Sequence, residues 1–129
     1  MVAAAGKHAF LDVIHVDATH QTNRWGLYAT LLTGHGPFGK NVLLGVILLQ
    51  EELHDSYLWA FEQLDAFVPG FREAVRVVFT DGLDTYNTCI TAGFPNGHHL
   101  RCIYHLEVQI DRNFRSTLSV HFSDFWKLF

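Results

Sequence analysis

The spacing of apolar positions divides the chain into a strand-rich beginning and a mixed remainder. Segments rich in β-branched and other apolar residues predict three strands, at Asp12–Thr19, Trp25–Thr33 and Asn41–Gln50. A polar turn and a glycine-rich turn separate these segments, which is typical of an antiparallel meander. The third segment is almost continuously apolar, and this pattern indicates a strand that is buried on both faces.

After the third strand, helical and strand patterns alternate. Apolar residues from Tyr57 to Val68 recur at helical spacing, and Pro69 and Gly70 end that helix. The remaining pattern predicts two further strands, at Ala74–Thr80 and at His99–Ile103, and a helix between them that carries Leu83, Tyr86, Ile90 and Phe94. Two more helices are predicted, from Tyr104 to about Phe114 and at Leu118–Leu128.

The resulting order is three strands, then helix, strand, helix, strand and helix, with a further helix behind. Helical crossovers lead into the fourth and fifth strands, so both should lie parallel to the first strand. This order predicts an α/β protein with a ribonuclease H-like mixed sheet flanked by helices. A flavodoxin-like or ferredoxin-like sheet would need a helix directly after the first strand, and the chain leaves no room for one there.

Composition narrows the range of functions. The chain has 129 residues, of which 49% are apolar and 17% charged, enough for one compact core. Its net charge of −4 argues against a free-standing basic nucleic-acid module. The longest apolar run, Val42–Leu49, is far shorter than the roughly 20 residues of a membrane span. Two cysteines make no disulfide scaffold, which favours an intracellular protein.

The chain ends in an apolar, aromatic segment, Phe122–Phe129. Domain ends are more often polar and frayed. Two interpretations stand side by side: a helix whose packing partner lies further along a longer protein, or a C-terminal helix that docks on its own core.

Two aspartates are expected at one edge of the sheet. Asp17 lies in the last part of the first strand, and Asp81 directly follows the fourth, which should be its neighbour. Like charges held this close repel one another, and a divalent cation relieves the repulsion. Mg²⁺ and Mn²⁺ prefer oxygen ligands, so we expect the pair to hold one of these ions. The alternative is that each aspartate only caps a turn or the following helix.

Several segments resemble the MULE (Mutator-like element) transposase domain, in the family's order and spacing. They cover most of the chain, from about Asp12 to Arg115, and comprise Val16–Asn23, Leu27–Leu32, Gln50–Phe61, Phe79–Gly82, Phe94–Pro95 and the C-x-x-H at Cys102–His105. The resemblance implies a DNA transposase core of the DDE type, with Asp17 and Asp81 as the first two catalytic carboxylates and as ligands of two Mg²⁺ or Mn²⁺ ions. It also implies DNA as the partner, a homo-oligomer in the complete protein, and a nuclear location if the source is eukaryotic.

The third carboxylate of the family, a glutamate, follows a helical insertion downstream of the C-x-x-H. Glu107 and Asp124 come too soon to take its place. We therefore assign residues 1–11 to an N-terminal extension, 12–115 to the transposase core, and 116–129 to a helix that begins the insertion.

Cys102 and His105 have half the spacing of a zinc site, and His98 and His99 are the nearest further ligands. The alternative is that Cys102 packs as a small apolar residue while His105 forms a local hydrogen bond or cap. The remaining scattered histidines, His35 among them, are interpreted as surface or loop residues. Glu51 and Glu52 are interpreted as a solvated approach to the first helix, although they could also reach the sheet edge.

Three functions are consistent with these features. The first is an incomplete catalytic core of a Mutator-like transposase, active in DNA cleavage and strand transfer only in the full-length enzyme. The second is a domesticated, non-catalytic derivative that serves DNA regulation or assembly. A stand-alone nuclease would need a further carboxylate within these 129 residues, and the sequence offers no clear candidate.

Overall fold

A computed structural model describes residues 11–19, 23–82 and 84–127 of the chain. In chain order, the described residues form β1 (Val13–Thr19), β2 (Tyr28–His35), β3 (Asn41–Leu49), α1 (His54–Phe67), α2 (Phe71–Ala74), β4 (Val77–Thr80), α3 (Asp84–Gly93), β5 (His98–Arg101), α4 (Ile103–Leu118) and α5 (Phe122–Trp126). Single 3₁₀ turns lie at Pro37–Gly39 and Ser119–His121. The predicted N-terminal extension, 1–11, lies outside the described residues except for Leu11, which is buried.

The five strands form one mixed sheet in the order β3-β2-β1-β4-β5. β1 pairs antiparallel with β2, and β2 pairs antiparallel with β3. β4 runs parallel to β1, and β5 runs parallel to β4. This topology confirms the predicted α/β class, the three-stranded meander and the position of β4 beside β1.

The core lies on one face of the sheet, between the strands and the helices α1 and α3. Its largest fully buried side chains include Tyr57 and Phe61 of α1 and Tyr86 of α3. The rings of Tyr57 and Tyr86 lie 5.0 Å apart between centroids, so the two helices meet through aromatic packing.

The opposite face of the sheet is only partly covered by the described residues, and β3 is its most exposed part. Along β3, Ile47 and Leu49 are buried, whereas Val46 and Leu48 are 52% and 56% exposed. The prediction that this strand is buried on both faces is therefore wrong for the described part of the chain. An alternating pattern of exposure replaces it because α1 and α3 pack on the same side.

Several predicted boundaries also differ from the structure. β4 begins at Val77 rather than Ala74, and β5 ends at Arg101 rather than Ile103. β2 begins at Tyr28 rather than Trp25, because the Asn23 side chain holds a turn: its Oδ1 accepts hydrogen bonds from the backbone N–H groups of Trp25 and Leu27, each at 3.1 Å. α4 continues to Leu118 instead of ending near Phe114. No glycine or proline interrupts that segment, and the predicted final helix is reduced to the short α5.

Candidate active site

The two predicted aspartates lie at the same edge of the sheet, on adjacent strands. Val16 pairs with Thr80 in the parallel β1–β4 ladder. Asp17 is the next residue of β1, and Asp81 directly follows the end of β4. Neighbouring strands are about 4.8 Å apart, so this register places Asp17 and Asp81 side by side. Gly82 then turns the chain with a φ of 90°, a left-handed conformation that suits glycine.

The C-x-x-H segment starts at the same edge. Thr80 pairs with Arg101 in the β4–β5 ladder, and the Cys102 N–H donates to the carbonyl of Thr80 at 2.7 Å. Cys102 is the residue that precedes α4, and His105 lies in the first turn of that helix. Nε2 of His105 is 3.8 Å from Oδ1 of Asp17. Its Nδ1 is buried and has no hydrogen-bond partner among the described residues.

All four candidate residues, Asp17, Asp81, Cys102 and His105, line one open cleft of about 360 Å³. The side chain of Asp17 is 52% exposed and that of His105 is 31% exposed, so a ligand can reach both from solvent. The sequence thus predicted four residues that the fold brings into one cleft.

A buried hydroxyl network lies at the same edge of the sheet, on its packed face. The Tyr57 hydroxyl donates to Oε1 of Glu52 at 3.2 Å and lies 3.0 Å from the Tyr86 hydroxyl and 3.2 Å from Oγ1 of Thr30. Burial raises the pKa of Tyr86, with smaller contributions from Tyr57 and from the charges of Asp81 and Glu52. Glu52 is therefore half-buried and hydrogen-bonded, and its interpretation as a solvated residue is wrong.

The donor atoms of this edge suit a hard cation. Mg²⁺ is commonly bound through one or two carboxylates, with water and substrate phosphate oxygens completing its coordination. Asp17 and Asp81 can supply those carboxylates from a cleft that leaves room for a phosphate. Within the described ranges, no group of three or more His, Cys, Asp or Glu side chains is arranged to hold a metal by itself.

The four residues considered for zinc are not brought together. Nε2 of His99 lies 2.8 Å from Oγ1 of Thr80, whereas Cys102 and His105 line the cleft. Successive residues of a strand face opposite sides, so His98 and His99 cannot both join Cys102. Burial, followed by the charge of Arg101, lowers the pKa of His99.

The cleft also contains a pair of histidines that the sequence pattern does not indicate. Nε2 of His15 lies 3.0 Å from Nε2 of His35, and the His15 ring stacks on Phe79 with 4.9 Å between centroids. Burial, followed by the proximity of His35, lowers the pKa of His15, while Asp17 opposes this shift. His35 is thus not an isolated surface residue. Only the register of the β1–β2 hairpin could have indicated the pair.

Comparison with known proteins supports the relationship that these residues suggest. The sequence profile of the MULE transposase domain matches residues 13–109, a segment that contains Asp17, Asp81, Cys102 and His105. None of the helices in the described part of the chain combines the length and apolar character that a membrane crossing requires.

Similar proteins from Arabidopsis thaliana carry the name FAR1-related sequence. The putative protein FAR1-RELATED SEQUENCE 10 is 30% identical over 121 residues, which are 93% of this chain and 17% of that protein. Protein FAR1-RELATED SEQUENCE 4 is 25% identical over 81% of this chain and 14% of its own length. The chain therefore spans less than a fifth of the relatives it matches. The profile match covers more than half of the chain, and the chain accordingly belongs to the MULE transposase domain family.

Proposed function

We propose that this chain is part of the ribonuclease H-like catalytic core of a Mutator-like DDE transposase. The observation that carries the proposal is the register of β1 and β4, where Asp17 and Asp81 each follow the last paired residue. Membership of the MULE transposase domain family supports the same function.

In this role, Asp17 and Asp81 hold Mg²⁺ or Mn²⁺ at the carboxyl edge of the sheet. When bound, such ions activate a water or a 3′-hydroxyl and stabilise the leaving oxygen of a phosphodiester. The chain's own contribution is to keep two carboxylates on adjacent, hydrogen-bonded strands, so that little reorganisation is needed when the cation and a DNA phosphate arrive. The open cleft leaves both carboxylates accessible to a duplex or to a strand end.

In the full-length protein, the substrate is DNA, both the transposon ends and the target. The third carboxylate would come from outside this chain, and assembly into a homo-oligomer would bring two ends together. A nuclear location follows if the source is eukaryotic, as it is for the plant relatives.

A domesticated, non-catalytic module is the second candidate function. It is supported by the Arabidopsis thaliana relatives, which are named for FAR1 and not as transposases. In that case the fold would serve DNA regulation or assembly without cleaving a strand.

Mn²⁺ titration of the 129-residue chain tests the metal-binding step. We expect Asp17→Asn and Asp81→Asn each to weaken Mn²⁺ binding by about tenfold or more, because each removes a direct ligand, and loss of even an indirect partner commonly costs 10–100-fold. Asp12→Asn is the matched control, since Asp12 is exposed and lies at the opposite end of β1. Equal affinity in all four proteins would overturn the aspartate site.

A second experiment separates the two functions. The full-length protein is incubated with DNA carrying transposon ends and with Mg²⁺, and strand cleavage is measured beside the Asp17→Asn and Asp81→Asn variants. Cleavage that both substitutions abolish supports the transposase. A full-length protein that binds Mn²⁺ through both aspartates but leaves the DNA intact is the domesticated derivative.

A further inference from the structure

We propose that His15 and His35 form a separate binding site for a divalent transition-metal ion such as Zn²⁺. The site lies in the same cleft as the aspartates but uses nitrogen rather than oxygen donors. It goes beyond the proposed function and does not depend on it, because no step at Asp17 or Asp81 enters the argument.

The sheet fixes the two rings against each other. His15 pairs with Thr33 in the antiparallel β1–β2 ladder, and His35 lies two residues further along β2. Residues two apart on a strand share a face, so His15 and His35 are diagonal neighbours on one face. Phe79 of the adjacent β4 stacks on the His15 ring with an interplanar angle of 17°, which restricts the rotation of that ring.

The facing atoms are suited to metal binding. The two Nε2 atoms are 3.0 Å apart, and two ring nitrogens that close cannot both carry hydrogen. At least one therefore presents a lone pair, and both do so when each ring carries its proton on Nδ1. Neutral imidazole nitrogens are favoured ligands of zinc, copper and nickel, whereas Mg²⁺ prefers the carboxylates.

The separation of the nitrogens fits a shared ion. Zinc lies about 2.0–2.1 Å from its imidazole ligands, so two such nitrogens are about 2.9 Å apart at a right angle and about 3.4 Å at a tetrahedral angle. The observed 3.0 Å falls between these limits. An ion could enter with a movement of a few tenths of an ångström.

The rest of the coordination shell is open. Thr33 and Asn41 line the cleft beside the two histidines, and their side-chain oxygens can approach an ion or hydrogen-bond its water ligands. Because the chain supplies only two histidine ligands, the site should bind its ion reversibly and keep positions for an exchangeable ligand.

Zinc titration of the 129-residue chain by calorimetry tests the proposal, with circular dichroism to confirm folding. We expect His15→Ala and His35→Ala each to lower the zinc affinity by about tenfold or more, since removal of a direct ligand should cost at least as much as removal of an indirect partner. His54→Ala is the matched control, because His54 lies on the first turn of α1, away from the cleft. His35 is exposed, so its substitution should fold even if His15→Ala does not.

Further variants distinguish this site from the other cleft ligands. Asp81→Asn should leave the zinc affinity within about threefold of the wild type, because its carboxylate is not part of the histidine pair. Cu²⁺ added to the wild type should give an electron paramagnetic resonance spectrum with coupling to two imidazole nitrogens. The proposal fails if the wild type binds no zinc, if His35→Ala binds it as tightly as the wild type, or if only Cys102→Ser and His105→Ala weaken binding. Any of these results would leave the histidines with a direct N–H···N hydrogen bond alone.

Discussion

Nε2 of His105 lies 3.8 Å from Oδ1 of Asp17, at the point where α4 leaves the sheet edge. This distance exceeds that of a hydrogen bond, and both side chains are partly exposed. A contact of this kind contributes about 0–1 kcal/mol. His105 is therefore a weakly interacting neighbour of the aspartate and not a tightly bonded partner.

Replacement of His105 should consequently have a small effect on cation binding. We expect His105→Ala to change the Mn²⁺ affinity of the chain by less than about fivefold, in line with a contact of at most about 1 kcal/mol. Asp17→Asn, measured in the same titration, should cause the larger loss. If His105→Ala weakens binding as much as Asp17→Asn does, His105 is itself a ligand and the assignment of the site changes.

The two cysteines should differ sharply in reactivity. Cys89 is fully buried, and burial raises the pKa of its thiol to about 11, so very little of the reactive thiolate forms near neutral pH. Cys102 is half-buried and lines the cleft. We expect a disulfide reagent to label one thiol of the native chain, and Cys102→Ser to abolish that labelling. Rapid labelling of Cys102→Ser without denaturant would contradict the buried position of Cys89.

The labelling rate of Cys102 should also show whether a cation occupies the cleft. Cys102 shares the cleft with Asp17 and Asp81, so saturating Mn²⁺ should slow its labelling in the wild type. In Asp17→Asn and Asp81→Asn, the labelling rate should no longer respond to Mn²⁺. A rate that responds equally in all three proteins would place the cation elsewhere.

Close packing between α1 and α3 depends on a glycine. A Cβ atom at Gly93 would lie 2.8 Å from Cδ2 of Phe61, which is fully buried. Gly93→Ala should therefore lower the free energy of unfolding by about 1–2 kcal/mol, since overpacking costs about 1–3 kcal/mol and the helical preference of alanine returns up to about 1. Gly45→Ala is the control, because its Cβ would meet Leu64 at an ordinary 3.8 Å. Urea unfolding of the wild type and of both variants measures the free energy of unfolding. A Gly93→Ala variant that is as stable as Gly45→Ala would show that Phe61 can move aside.

The sequence was sufficient to place the aspartates because their position follows from topology. A helical crossover from the meander to β4 forces β4 to run parallel to β1, and a right-handed connection brings the two strands together. Asp17 and Asp81 then reach one edge whatever the details of packing. The same reasoning extends to Cys102, one residue beyond β5.

The features that the sequence did not reveal depend on side-chain positions across the sheet or on backbone geometry at a helix end. The His15–His35 pair requires the register of β1 and β2, which a one-residue slip would destroy. The bond between Glu52 and Tyr57 joins residues five apart at the start of α1, and it depends on the Tyr57 hydroxyl pointing to Thr30 of β2. The end of α4 at Ser119, with a φ of 46°, carries no glycine or proline signal in the sequence.

The stability of the chain should fall in mild acid, and His99 should be one cause. Burial, followed by the charge of Arg101, lowers the pKa of His99 in the folded chain below its usual value of 6.5. The unfolded chain then binds a proton at a higher pH than the folded chain does. Stability is therefore complete above about pH 6.5 and is lost as the pH falls from there towards the folded-state pKa.

His99→Gln tests this contribution because glutamine cannot take up the proton but can still form a hydrogen bond with Thr80. We expect the loss of unfolding free energy between about pH 7.5 and about pH 5 to be smaller in His99→Gln than in the wild type. A part of the loss should persist, because burial also lowers the pKa of His15. His121→Gln, at an exposed position, is the control for the effect of the substitution itself. Identical pH dependence in His99→Gln and the wild type would mean that the His99 ring takes up its proton as readily in the folded chain as in the unfolded one.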